Sequence, residues 1–228
     1  MNDMGRSLES MDQAVWYNQW TLKKIAKYLR GDILEVGCGI GNFTKSLIKY
    51  GKVWTIDIDQ YFIKETKRKL EKSVEIGYGD IEKGKYFFKK KHFDTIVCFN
   101  VLEHIKNDET AVGNLNKLLK KGGILLLILP AHPMIFGSID MHVGHFRRYE
   151  KNKLLELLKS HHFEIILSKR INFLGALGWW FAGKVFKNTS IDVDKLSLFN
   201  TIAPFVLPIE DITGTPVGTS ILIVSQKI

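Results

Sequence analysis

Between residues 11 and 30 the apolar side chains Val15, Trp16, Leu22, Ile25, Ala26 and Leu29 recur at largely helical spacing, and the run closes on Arg30-Gly31. A glycine there can take the left-handed position after a last helical turn, so the segment predicts an amphipathic leading helix. Beyond it, short β-branched apolar runs alternate with longer stretches of helical period. The runs are 33–36, 53–57, 74–78, 93–99 and 124–129, and such alternation predicts a parallel sheet covered on both faces by helices. The clearest connector is 107–121, where Ala111, Val112, Leu115, Leu118 and Leu119 form one stripe and Lys120-Lys121-Gly122-Gly123 closes it. The ILLLIL run after it is apolar on both faces and therefore belongs in the middle of the sheet. Past Pro130 the period disappears: 131–149, AHPMIFGSIDMHVGHFRRY, reads as a functional loop. A helix at 151–161, a strand at about 163–169, an apolar segment of helical length at 173–187, an irregular Pro- and Gly-containing stretch and a last strand from 219 complete the chain. The count is seven strands.

With 228 residues the chain suits one domain and is too short for two catalytic ones with a linker. The expected division is a helical cap at 1–30, a ligand-binding core at 31–130, an acceptor-side loop, strand and helical insertion at 131–218, and the last strand at 219–228. A 45% share of hydrophobic residues with 25% charged excludes wholesale disorder. Cys38 and Cys98 stand far apart without a CxxC or Cys/His ladder, which excludes a zinc ribbon or disulfide framework and suits a reducing compartment. The first residues lack an apolar signal core and no 18-residue apolar run occurs, so the expected location is cytoplasmic. Charge complicates this picture. An excess of 33 Lys and Arg over 24 Asp and Glu leaves +9, a value that also suits nucleic-acid binders. Its one dense cluster, Lys83, Lys85, Lys89, Lys90 and Lys91 around Tyr86-Phe87-Phe88, reads either as a solvated rim or as a track for a phosphate backbone.

The first strand runs directly into EVGCGIGNFT, residues 35–44. Glycines at 37, 39 and 41 let the backbone turn sharply and admit a ligand without meeting a Cβ, while the following helix start offers N–H groups to an anionic or carbonyl-bearing cofactor. Asn42 stands where a dinucleotide loop wants Gly or Ala, which disfavours hydride transfer. Taken with an acid ending strand two, an Asp ending strand three and the VLEHI stretch after strand four, residues 31–130 resemble a class I S-adenosylmethionine-dependent methyltransferase. The resemblance implies a Rossmann-like α/β fold: a seven-stranded sheet, mostly parallel with a C-terminal antiparallel strand, with helices on both faces, an N-terminal helix and a helical insertion before the last strand. It implies S-adenosylmethionine as cofactor and S-adenosylhomocysteine as product. Gly37, Cys38, Gly39 and Gly41 would bound the methionine part, with Glu35 anchoring that end. Asp57 would take the two ribose hydroxyls, Ile58 the adenine face, and Asp80 with Ile81 the adenine amino edge. Asn100 and Val101 would lie under the sulfonium. Asn100-Val101-Leu102-Glu103 lacks the Pro-Pro-aromatic sequence used on planar amide or base nitrogens, which lowers the nucleic-acid reading.

Methyl transfer from a sulfonium is an in-line displacement that needs alignment, and a base when the acceptor is an alcohol. Candidates for that base are His145, His142 and His132 in the loop after strand five. Asp140, Arg147, Arg148 and Tyr17 are expected to bind the acceptor. Adjacent arginine forks suit a carboxylate or phosphate handle, and their alternative is a helix-start ion cluster with Glu150. Asp140, His142 and His145 are also chemically able to ligate a metal, but no rigid element fixes them and the expectation is no metal. His104 reads as a helix-start residue. Segment 173–187 reads as a pocket lid, a dimer surface or an interfacial membrane anchor. The expected activity is methyl transfer to O or N of a small or lipid- or saccharide-linked acceptor, anionic if the arginines grip it, by a monomer or homodimer. The alternatives are an RNA or protein methyltransferase using 83–91, and a non-catalytic cofactor-binding subunit.

Overall fold

The computed structural model describes residues 15–70, 72–172 and 218–228. The apolar segment 173–187, with its lid, dimer and membrane readings, lies outside them. The leading helix is α1 (Val15–Ile25), continued by a 3-10 turn over Ala26–Tyr28. The parallel core follows as β1 (Asp32–Val36), α2 (Thr44–Leu47), β2 (Lys52–Asp57), α3 (Gln60–Leu70), β3 (Glu75–Asp80), the short β4 (Lys85–Tyr86) and β5 (Phe93–Phe99). Next come α4 (Asp108–Leu118), β6 (Leu119–Pro130), α5 (Ser138–His142), α6 (Lys151–Ser160), β7 (Phe163–Ile171) and β8 (Ser220–Lys227). They build one sheet in the order β4-β3-β2-β1-β5-β6-β8-β7. Neighbours β3, β2, β1, β5 and β6 run parallel, whereas β8 is antiparallel to both β6 and β7.

Period-two alternation sorts the strand residues between two cores. Leu34, Val36, Ile56, Ile96, Cys98, Leu125 and Leu127 face one side with Ala111, Val112 and Leu115 of α4 and Leu154 and Leu158 of α6. Ile33, Val53, Val97, Ile124, Leu126 and Ile128 face the other, against Trp20, Leu22 and Ile25 of α1, Leu47 of α2 and Ile63 of α3. Both faces are thus covered, as a parallel sheet requires.

Two expectations need correction. The sheet among the described residues has eight strands, because Lys85–Tyr86 returns along the outer edge of β3. Two residues are too few to register as a period. Packing holds them instead: Tyr86 stacks on Phe88 at 5.2 Å, and Phe88 meets Phe93 edge-on at 5.2 Å. Helix α4 also stops at Leu118 rather than 121. Asn107 caps its start by accepting the Thr110 N–H at 3.0 Å, and at its end Leu119 is already paired with Phe93 of β5. The Lys227 ammonium donates to the carbonyls of Asn116 and Leu119, so the last strand caps the helix.

Candidate active site

Chain order along the sheet reverses at β1, which has β2 on one side and β5 on the other. Open parallel sheets bind ligands at the carboxyl ends of the strands at such a switch point, and here the two flanking loops are the glycine loop and the Asn100 turn. Gly37 and Cys38 donate to the Ile56 carbonyl at 2.8 and 3.2 Å, folding the loop over β2. Gly37 and Gly41 have φ of +78° and +88°. A Cβ on Gly37 would overlap the Val101 side chain, so only glycine lets the two loops touch. The helix after the loop has just four residues, Thr44–Leu47, so its dipole contributes little, and the Gly41 N–H is itself bonded to the Cys38 carbonyl at 2.9 Å.

Asp57 organises this loop from below. Its Oδ2 accepts the Gly39 N–H at 3.0 Å and its Oδ1 the Asp59 N–H at 2.9 Å. Burial raises its carboxyl, and these N–H donors oppose the rise. Each oxygen keeps a lone pair for a further donor. Thr66 of α3 adds a bond to the Gly39 carbonyl at 2.9 Å. Glu35 is buried and accepts the Thr44 and Thr55 hydroxyls on Oε2 at 2.5 and 2.9 Å. Burial pushes it up to about 7 against those two hydrogen bonds. Asp80 is buried at the end of β3, where Oδ1 accepts the Lys83 N–H at 2.9 Å, and Ile81 is buried beside it. Ile58 is 67% exposed, an apolar side chain left open next to these acids. Asn100 is exposed in the left-handed region at φ +52°, with its N–H on the Ile128 carbonyl at 2.8 Å.

Beyond β6, segment 131–149 carries a polar chain. Asp140 of α5 is fully buried. Its Oδ1 lies 2.9 Å from His145 Nδ1 and 2.8 Å from Arg148 Nε, and its Oδ2 accepts the Gly137 N–H at 3.0 Å. Burial alone would raise this carboxyl; His145, Arg148 and Gly137 outweigh it and hold it below the usual range. An ionised Asp140 assigns the proton to His145 Nδ1, which leaves the Nε2 lone pair pointing away from Asp140. That nitrogen lies 3.9 Å from Glu103 Oε1. Glu103 and His104 sit on a 3-10 turn, Leu102–His104, just past Asn100. The His104 ring meets the His145 ring edge-on at 4.7 Å, and its Nδ1 lies 3.2 Å from the Gly144 carbonyl. Burial pushes His104 down to about 4 and Glu103 up to about 8.

The family profile described as a methyltransferase domain matches residues 34–127, from β1 through β6 and across both loops of the switch point. Residues 34–127 thus carry a methyltransferase domain. It is 34% identical over 104 residues to an uncharacterized methyltransferase of Geobacillus sp., covering 44% of this chain and 48% of that one. Against a ubiquinone biosynthesis O-methyltransferase of Coxiella burnetii it is 33% identical over 99 residues, 41% of each. The chain thus spans less than half the length of the curated relatives it matches. In fold it resembles the N-methyltransferase NodS of Bradyrhizobium japonicum, solved with S-adenosylhomocysteine, with a TM-score of 0.57 at 16% identity, covering 99% of this chain and 88% of that one.

Within this domain the expected cofactor residues Glu35, Gly37, Cys38, Gly39, Gly41, Asp57, Asp80, Ile81, Asn100 and Val101 all lie on β1, β2, β3, β5 or the turns that follow them, at the carboxyl ends of the strands. The acceptor-side residues fare differently. Arg147 is bound to Asp108 of α4 at 2.6 Å and to the Lys106 carbonyl, and Arg148 is buried against Asp140, so both guanidiniums grip the chain itself. Asp108 and Asp140 are thus ion-pair partners of the two arginines. His132 has φ +62° and a buried Nε2 without a hydrogen-bond partner, and His142 is exposed at the end of α5. Tyr17 is on α1, with its side chain outside the described residues. Glu103 and His104 were not expected as functional groups. The one sign of them is a carboxylate and an imidazole set side by side between the apolar residues of VLEHI.

Proposed function

We propose that this chain binds S-adenosylmethionine across the switch point and transfers its methyl group to an oxygen or nitrogen of a small or lipid-linked acceptor held under segment 131–149. The observation that carries the reading is the Asp140–His145 pair, a histidine fixed at Nδ1 by a buried carboxylate and placed against the turn that follows the cofactor strand β5. In the transfer the acceptor's lone pair attacks the methyl carbon, the sulfonium C–S bond breaks, and S-adenosylhomocysteine leaves as a neutral thioether. An alcohol acceptor also sheds its proton, and the Glu103, His104 and His145 cluster is where that proton is handled. The acceptor's apolar part is supported by Met134, Ile135, Phe136, Met141 and Phe146, all exposed on the same segment. An anionic handle finds less support, since Arg147 and Arg148 are engaged. The basic segment 83–91 supports the RNA reading weakly: Tyr86 and Phe88 pack inward, and Lys91 is bonded to Asp32 at 2.6 Å.

The test supplies methyl-labelled S-adenosylmethionine with lipid, water-soluble, RNA and protein fractions. Label entering an organic-soluble or small polar product is expected. Label confined to RNA or protein, or no calorimetric binding of the cofactor at millimolar concentration, would overturn the proposal. His145→Ala should keep cofactor affinity and lower turnover of an alcohol acceptor by roughly a hundredfold. Normal turnover with weakened cofactor binding would move the loop to the cofactor side.

A further inference from the structure

Glu103 is 1% exposed, and neither of its carboxylate oxygens has a hydrogen-bond partner. A carboxyl group withdrawn from water with both oxygens unmatched is costly and calls for a compensating donor or cation. Arg148, whose charge acts on Glu103, is bonded to Asp140 at 2.8 Å. What faces Glu103 instead is imidazole: one ring nitrogen each of His104 and His145 and one Glu103 oxygen all lie within 4.8 Å of one another.

The proton assignments of the two rings agree with ligation. Asp140 holds the hydrogen on His145 Nδ1 and the Gly144 carbonyl holds it on His104 Nδ1, so the lone pair of each ring is on Nε2. Metal-bound histidines almost always donate their other N–H to a carboxylate or carbonyl, and here both do. A tetrahedral ion about 2.0–2.1 Å from its donors sets those donors roughly 3.3–3.5 Å apart. His145 Nε2 and Glu103 Oε1, at 3.9 Å, need close by only about half an ångström, within the reach of small side-chain rotations.

We infer that Glu103, His104 and His145 bind one divalent first-row transition-metal ion, with Asp140 and the Gly144 carbonyl as the outer partners that orient the two imidazoles. Two imidazoles and one carboxylate suit zinc, cobalt, iron or manganese better than magnesium or calcium, and they leave at least one coordination position open. Given the methyl-transfer reading above, on which this role rests, the open position takes the acceptor's hydroxyl oxygen. The ion lowers the hydroxyl's pKa, the proton leaves to solvent, and the oxygen attacks the sulfonium methyl as the C–S bond breaks. His145 then acts as a ligand rather than as the base itself.

The experiment uses the full chain, freed of metal with chelator and titrated with cobalt(II) and zinc(II) in the absence of cofactor and acceptor. Expected are one bound ion per chain, a visible cobalt absorption displaced by zinc, and affinity lowered at least a hundredfold in His104→Ala and His145→Ala. Asp140→Asn should lose ten- to a hundredfold and alter the cobalt spectrum, as an outer partner does. Glu103→Gln, nearly isosteric, should also weaken binding if the carboxylate is a ligand; circular dichroism shows whether it folds, and the two histidine variants decide if it does not. Absence of stoichiometric cobalt binding, or binding unchanged in both histidine variants, would overturn the inference and, in the second case, assign the ion to other histidines. Because the readout is metal alone, such a failure leaves the methyl-transfer reading standing, and loss of methyl transfer with metal still bound would fall on that reading instead.

Discussion

Glu35 is the residue whose environment makes the sharpest statement about pH. Its carboxyl is raised from 4.5 to about 7 by burial, opposed by Thr44 and Thr55, so the folded chain holds a proton that the unfolded chain releases. Its favourable contribution is therefore present in full below about pH 4.5 and is lost as pH rises towards 7. Summed over that window the change is on the order of 3 kcal/mol. Glu35→Gln, which never ionises, should flatten this part of the profile: urea unfolding at pH 5 and pH 8 should show the wild type losing stability relative to the variant on going to the higher pH. Parallel profiles would mean that Glu35 is neutral or charged alike in both states. At Asp57 two tasks coincide, since the carboxylate that would receive the ribose hydroxyls already holds the N–H groups of Gly39 and Asp59. Asp57→Ala should weaken S-adenosylmethionine by roughly ten- to a hundredfold by calorimetry, from lost charge-assisted hydrogen bonds of about 1.5–3 kcal/mol. It should also lower unfolding stability, because two backbone donors lose their acceptor. Affinity unchanged in the folded variant would place the ribose elsewhere. Asp57 was legible in the sequence as a candidate because it ends a strand, but its hold on Gly39 was not, since that bond joins residues 18 apart through a loop geometry.

Among the elements, the turn after β1 is set by contact with the turn after β5. Gly37 combines a φ of +78° with a Val101 methyl in the space a Cβ would fill. Gly37→Ala should destabilise the protein by about 1–2 kcal/mol for the left-handed backbone, plus a further loss from overlap. The double variant Gly37→Ala, Val101→Ala should recover the overlap part and not the backbone part, which denaturant unfolding of the three variants resolves. A double variant no more stable than the single one would show that Val101 is not what confines the turn. The elements themselves were largely readable because β1, β2, β3, β5 and β6 are apolar runs between helical stretches, and their alternate residues divide between two cores. What escaped was short or non-local. Strand β4 has two residues and rests on an aromatic stack, and α4 ends early because β6 begins pairing at Leu119. The 131–149 loop has no period to read, yet it is pinned at several points: Tyr149 donates to Asp108 at 2.9 Å and to the Pro130 carbonyl at 2.8 Å, and Phe146 to the Glu103 carbonyl at 2.7 Å. These bonds bring residues some forty positions apart into one site, which is why Glu103 and His104 were invisible as partners of His145.

On the scale of the whole molecule, the residues expected to hold the cofactor come from the ends of four strands, β1, β2, β3 and β5, so a ligand bound by them would tie together elements spread over residues 35–101. Binding to the folded state alone stabilises by mass action, about 2.7 kcal/mol at a hundred times the dissociation constant. For a chain of this size that should raise Tm by roughly 5–10 °C. S-adenosylhomocysteine should do the same at the same multiple of its own constant, because the nucleoside and amino-acid ends carry the contacts. Asp57→Ala at the wild type's cofactor concentration should retain only about 1–5 °C, since a ten- to hundredfold weaker constant leaves about 0.4–1.4 kcal/mol. His145→Ala, in segment 131–149, should keep the full shift. Differential scanning calorimetry of the three chains with and without cofactor separates the two halves of the site. If His145→Ala lost the shift while Asp57→Ala kept it, the cofactor would lie under segment 131–149 and the assignment of the two halves would be reversed.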